Sequence, residues 1–292
     1  MQRSQKHDSS GLPTVKQLRL RKALMYSDYH IHTDFSADSD TPAQAQIERA
    51  IALGMERICI TDHQDFDYPE RYHEDFTFPT DRYIEALGRL RQSFEGQVQV
   101  FTGVELGLRA HLTRQLERYG ADWPFDYIIG SVHLVGDRDP YFSDFYEGRT
   151  EEAAYREYFE CTLENVRLHK DCFDALGHLD YAVRYGPNKN KFYSYSGYRD
   201  IIDEILKTVI SHGKALECNT SGLSHGLGHT NPHPDVIRRY IELGGEMVTI
   251  GSDAHVPASL GYGFSLIKDM LESCGVRYYT EFHGRKPVFY PL

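Results

Sequence analysis

Seven times along this 292-residue chain, a short apolar run suited to a buried strand is followed by a helical stretch. The runs lie at 26–33, 57–61, 97–106, 127–132, 173–179, 215–219 and 246–251. Parallel neighbours need a long crossover, usually a helix, so this alternation points to a parallel sheet wrapped by helices. No composition break divides the chain after residue 26. Seven such units fit an α/β fold of the TIM-like class, a distorted seven-stranded β/α barrel, as one domain over 26–292. Helices are expected at 42–54, 81–94, 112–119, 151–170, 198–211, 235–243 and 266–273, with a last extended segment at 276–280. Thr41 and Pro42 open the first helix as N-cap and first helical residue. Residues 1–25 are polar, lack the apolar core of a secretory signal, and read as a flexible extension.

The runs end in side chains that do chemistry. In order they read Asp28-Tyr-His30-Ile-His32, Thr61-Asp62-His63, Gly103-Val-Glu105, Ser131-Val-His133, Gly177-His178-Leu-Asp180 and Gly251-Ser-Asp253-Ala-His255. Barrel active sites are built at the C-terminal ends of the strands. Imidazoles and carboxylates gathered there can enclose several divalent metals. His30 and His32 are two apart on an expected strand and so share a face. A lone histidine at such a place would suit a satisfied core residue, but two on one face, joined by similar groups on other strand ends, point to a site. Glu105 would be costly inside the barrel unless paired or metal-bound, and its two oxygens could bridge two cations. The competing reading is an ion pair with Arg109. Asp253 suits a ligand, and His255 a ligand or a proton carrier. Asp28, Asp62 and Asp180 suit either ligands or acceptors that orient neighbouring imidazoles, with the orienting role favoured.

The net charge of −11 argues against a general nucleic-acid binder, which would carry a basic face. A phosphate substrate stays possible, because bound divalent ions reverse the local field. No apolar run is long enough to span a bilayer. The five cysteines are odd in number and form no CxxC pair, which fits reduced core thiols in a cytoplasmic protein. Three long loops, 64–79, 134–149 and 185–197, are expected to enclose a substrate; the first two are aromatic and acidic, and the third adds lysines and tyrosines.

Taken together, the DYHIHT, TDH, GVE, SVH, GHLD and GSDAH series resembles the polymerase-and-histidinol-phosphatase (PHP) superfamily, and within it the histidinol-phosphatase branch. The resemblance runs in order from about Tyr26 to His255. It implies a metal centre of three divalent ions per chain, of zinc, manganese or iron. One ion would be held by His30, His32, Glu105 and Asp253. A second would share Glu105 and add His133 and His178. A third would use His63, His255 and Asp38. Many relatives carry His where this chain has Asp38, so a dinuclear centre is the alternative. Arg184 would clamp the phosphate, with a surface arginine as the competing reading, and Asn219 and Ser221 would donate to the substrate. His225, His229 and His233 match no motif of the series and are not expected to be ligands.

The activity so implied is hydrolysis of L-histidinol phosphate, a small phosphorylated amino alcohol, to histidinol and phosphate in histidine biosynthesis. Glu105, Asp253 and His255 would carry the catalysis. The alternatives are a PHP phosphoesterase acting on a nucleoside bisphosphate or oligonucleotide, and a metal-stabilised binding module without turnover.

Overall fold

A computed structural model describes residues 27–292. The expected N-terminal extension, 1–25, and Tyr26 lie outside the described residues. Nine strands are assigned among the described residues: β1 (Arg57–Ile60), β2 (His63–Gln64), β3 (Gln99–Gly107), β4 (Tyr127–Ser131), β5 (Ala175–Leu176), β6 (Ala215–Asn219), β7 (Val248–Gly251), β8 (Tyr278–His283) and β9 (Lys286–Pro291). Between them run helices α1 (Ala43–Leu53), α2 (Thr80–Ser93), α3 (Thr113–Asp122), α4 (Glu151–Leu168), α5 (Arg199–Ser211), the single turn α6 (Ser221–Ser224), α7 (Pro234–Glu242) and α8 (Phe264–Ser273). The parallel sheet is ordered β1-β3-β4-β5-β6-β7, and β2 continues β1 alongside β3 after a break at Thr61 and Asp62.

The expected first strand is not a regular one. Residues 28–31 make only isolated parallel bridges, Asp28 to Ile58 and Ile31 to Ala254. Two backbone N–H groups in and just after this segment are taken by side chains: Ile31 N by Thr61 Oγ1 at 3.1 Å and Thr33 N by Asp62 Oδ1 at 2.6 Å. Such local bonds compete with a ladder. Even so, the segment joins the two sheet edges. Cys59 N donates to Asp28 O at 2.9 Å on one side, and Tyr29 N donates to Ile250 O at 3.0 Å on the other. It is the seventh stave of a distorted β/α barrel.

Alternation along the staves sorts the core into two layers. Tyr29, Cys59, Phe101, Tyr127, Ile129, Ala175 and Ala215 fill the barrel interior. Ile58, Ile60, Val100, Ile128, Leu216 and Ile250 face outward and pack with helix residues such as Ile47, Leu87, Leu116, Phe159 and Ile205. The C-terminal segment, expected as one extended run, is a hairpin of β8 and β9. Its Phe282 joins the interior layer and stacks on Tyr127 at 5.3 Å, covering the N-terminal end of the barrel.

Two local expectations change. Thr41 does not cap α1; its Oγ1 donates to His255 O at 2.8 Å, and Pro42 stands at the N-cap. The fifth strand shrinks to two residues, because His178 N turns to the Glu217 carboxylate at 2.7 Å instead of continuing the ladder. Among the described residues no helix is long and apolar enough to cross a membrane.

Candidate metal centre

Glu105 is the hub of the barrel mouth. It stands near the end of β3, directly opposite His63 in the β2–β3 register, and is fully buried. Its Oε1 lies 2.8 Å from His178 Nε2 and 3.2 Å from His133 Nε2, and accepts from Ser131 Oγ at 2.6 Å. Its Oε2 lies 3.0 Å from His63 Nδ1, 3.2 Å from His30 Nε2 and 3.5 Å from His32 Nε2. Five imidazoles from four staves therefore converge on one carboxylate. Arg109 takes no part; it pairs with Asp137 at 2.9 Å.

Asp253 forms the second focus. Its Oδ1 lies 3.2 Å from His32 Nε2 and 3.6 Å from His30 Nε2, while its Oδ2 accepts from Arg184 Nη1 at 2.8 Å. Its backbone has φ of +57°, the left-handed region that Asp enters more readily than most residues. Such conformations persist where surrounding bonds enforce them; here Asp253 N donates to His30 O at 2.8 Å. A Cβ at Gly251 would collide with His30 Cβ, so only glycine lets β7 pass this close. The third focus is Asp38, whose Oδ2 lies 3.1 Å from His255 Nε2 and 3.5 Å from His63 Nε2.

The arrangement can hold several divalent ions. Four groups have donor atoms all within 4.8 Å of one another: His30, Glu105 and His178; His30, His32 and Asp253; His63, Glu105 and His133; and His32, His63 and His255. The fit extends to single atoms. His30 Nε2, His32 Nε2, His63 Nδ1 and Glu105 Oε2 are buried and lack a hydrogen-bond partner. Buried polar atoms are rarely left so, and ion coordination is one reason. Burial opposes ionisation of Glu105, yet His30, His63 and His133 outweigh it and hold the carboxyl well below its usual range. Burial likewise works against a proton on His133, but Asp65 and Glu105 raise it to about 10. Imidazoles that hold protons against carboxylates exchange them for divalent cations.

The groups behind these donors differ from expectation. Asp28, Asp62 and Asp180 do not touch imidazoles. Asp28 receives the backbone of Ser252 and Gly261, and Asp180 receives His233 N at 2.9 Å. Asp62 reaches His32 only through Ser36, whose Oγ donates to Asp62 at 2.7 Å and lies 3.1 Å from His32 Nδ1. The direct contacts come from Glu217, 2.6 Å from His30 Nδ1, and Asp65, 2.8 Å from His133 Nδ1. Glu217 was legible as a lone charge inside the apolar run ALECN; Asp65, in a loop, had no such signal.

Arg184 is not a surface residue. It is buried, its Nε donates to Asn231 Oδ1 at 2.7 Å, and its Nη2 has no hydrogen-bond partner. Asn219 and Ser221, expected to face a substrate, sit against Asp253 Oδ2, at 3.3 and 3.2 Å. His225, His229 and His233 belong to none of the donor groups within 4.8 Å. Above the cluster opens a cavity of about 510 Å³, lined by His63, His133, His178, Arg184 and Asp253 and by aromatic residues of all three long loops or their borders, among them Tyr68, Phe142 and Tyr185.

The family model of the PHP domain matches residues 28–221, two thirds of the chain and every candidate donor except Asp253 and His255. The chain belongs to the PHP domain family. A histidinol-phosphatase of Lactococcus lactis is 32% identical to this PHP chain over 89% of it and 95% of the relative. A probable histidinol-phosphatase of Clostridium acetobutylicum is 34% identical over 91% and 97%. The crystal structure of histidinol phosphate phosphatase from Lactococcus lactis, complexed with zinc, L-histidinol and phosphate, superposes with a TM-score of 0.82 at 31% identity. It covers 90% of this chain and 98% of its own. The PHP barrel thus matches these relatives over almost their whole length.

Proposed function

We propose that this chain is a metal-dependent phosphomonoesterase that hydrolyses L-histidinol phosphate to L-histidinol and inorganic phosphate. The observation that carries the reading is the shared carboxylate of Glu105, met by five imidazoles beside a buried arginine with a free N–H group. The relative whose crystal structure contains zinc, L-histidinol and phosphate supports the substrate. A small phosphorylated amino alcohol fits an aromatic-walled cavity of about 510 Å³ better than a polynucleotide does. A cytoplasmic place fits the reduced cysteines and a biosynthetic role.

In this reading His30, His32, Glu105 and Asp253 would hold one ion, Glu105, His133 and His178 a second, and Asp38, His63 and His255 a third. Divalent ions there would supply Lewis acidity, to acidify water and offset charge on phosphoryl oxygens. The chain's own groups do the rest. Glu217 fixes the Nδ1 side of His30, and Asp65 does the same for His133, so that each Nε2 faces the hub. Arg184, tethered by Asn231 and Asp253, presents Nη2 to a phosphoryl oxygen. Were the third ion absent, His255, partly exposed at the rim, would instead serve as the proton carrier to the leaving alkoxide.

The test is phosphate release from a panel of esters, coupled to elemental analysis of the purified protein. Turnover of L-histidinol phosphate far above that of oligonucleotides and nucleoside bisphosphates, with divalent metal bound, is expected. A preference for the nucleotides would refute the substrate assignment.

A further inference from the structure

Five carboxylates line the cavity: Asp38, Asp65, Glu74, Asp139 and Asp253. Three of them face imidazoles or Arg184 within the cluster. Glu74 is exposed in the loop. Asp139 is different. It is 4% exposed, yet no Lys, Arg or His among the described residues lies within ion-pair distance of it. Its partners are neutral. Tyr68 Oη donates to Oδ2 at 2.8 Å, Tyr181 Oη to Oδ1 at 3.2 Å, and Tyr141 N to Oδ1 at 2.8 Å. Its own N–H donates to Tyr72 Oη at 3.1 Å. Two phenols and a peptide N–H thus hold a carboxylate at the cavity wall without an ion-pair partner; His133 acts on it only from a longer distance, and burial still pushes its carboxyl above the ordinary value, a cost that an arriving cation offsets.

The placement fits a dipolar ligand. The Tyr181 ring packs 5.2 Å from His178 and 5.4 Å from His133, and its hydroxyl end reaches Asp139. One phenol therefore spans from the hub to this carboxylate. A ligand with phosphate at Arg184 and a positive charge a few bonds away meets opposite charges at its two ends. The rings of Tyr68 and Tyr181 beside Asp139 also suit a cation.

We infer that Asp139 is a specificity-determining residue, which binds the cationic end of the phosphomonoester and selects amine-bearing esters over neutral ones. This rests on the phosphomonoesterase reading above and adds to it the group that reads the substrate's charge.

The experiment compares kcat/KM for L-histidinol phosphate with that for p-nitrophenyl phosphate, which has no cation, in the metal-loaded enzyme and in Asp139→Asn. The ratio of the two should fall by about tenfold to a hundredfold in Asp139→Asn, mainly through KM, the size expected for losing one charge-assisted hydrogen bond. Tyr68→Phe, which keeps the ring but frees Oδ2, should lower the same ratio by a smaller factor; it serves alone if Asp139→Asn does not fold. An unchanged ratio in the variants, with both substrates slowed alike, would overturn the inference. A wild-type enzyme that hydrolyses both esters without preferring the amine ester would overturn it as well, whereas one that releases phosphate from neither would count against the phosphatase reading itself, so the two failures are distinct.

Discussion

His30 Nδ1 lies 2.6 Å from Glu217 Oε1, and the other oxygen of that carboxylate accepts from His178 N at 2.7 Å. One buried side chain on β6 therefore sets both the tautomer of an imidazole on the first stave and the path of the backbone that carries a second. Groups of this kind typically contribute tenfold to a hundredfold in metal affinity. Glu217→Gln is expected to weaken zinc binding by that factor in competition with a chromophoric chelator, while the far-ultraviolet circular dichroism stays the same. Unaltered zinc affinity would show that His30 needs no such support.

Glu105→Gln removes the charge that five imidazoles share. Bound metal should drop below that of the parent protein, and kcat for L-histidinol phosphate should fall at least about a thousandfold, the scale of losing preorganised electrostatic stabilisation. A near-normal rate would disprove the hub role.

Arg184→Met keeps much of the apolar stem but abolishes the tether to Asp253 and the free N–H group. Inorganic phosphate should then inhibit about a hundredfold more weakly, with kcat/KM falling in step. Equal inhibition of variant and parent would place the phosphate elsewhere.

Metal uptake should release protons. Glu217, Glu105 and Asp253 raise His30 well above the ordinary imidazole value of 6.5 despite burial. Against the same opposition, Glu105 and Asp38 raise His63, and His133 stands at about 10. The metal-free protein thus carries protons on these rings at pH 7.5, and a divalent ion must displace them. More than one proton per chain is expected when zinc is added to metal-free protein in weak buffer with a pH indicator. Apparent affinity should accordingly fall as pH is lowered. Zinc binding without proton release would contradict the charge states.

Phe282 tests the fold apart from the chemistry. It stacks on Tyr127 at the end of the barrel opposite the cluster. Phe282→Ala should cost about 3 kcal/mol in urea unfolding, with metal content per folded chain unchanged. A loss of metal without a loss of stability would mean that the hairpin supports the site directly.

The expected barrel and the donors that meet at its mouth were legible because both follow short-range rules. Strand and helix periods show in a few residues, and His30, Glu105, His133, His178 and Asp253 each mark the end of an apolar run. The first stave was read as a regular strand because its residues alternate; Thr61 and Asp62 draw off its N–H groups, and neither is near it in the chain. Asn219 and Ser221 looked free to meet a substrate, yet both sit against Asp253, which lies 34 and 32 positions away.

By itself the amino-acid order determined which side chains would stand at the strand ends, hence the barrel and its inventory of candidate metal donors. Only the tertiary structure decided what stands behind and beyond them: Glu217 against His30, Asp65 against His133, Arg184 buried against Asp253, and Asp139 held by tyrosines across the cavity. The reason is physical. Periodicity and chain propensity act over a few residues, whereas these pairs are separated by as many as 187 positions and meet only because the barrel closes.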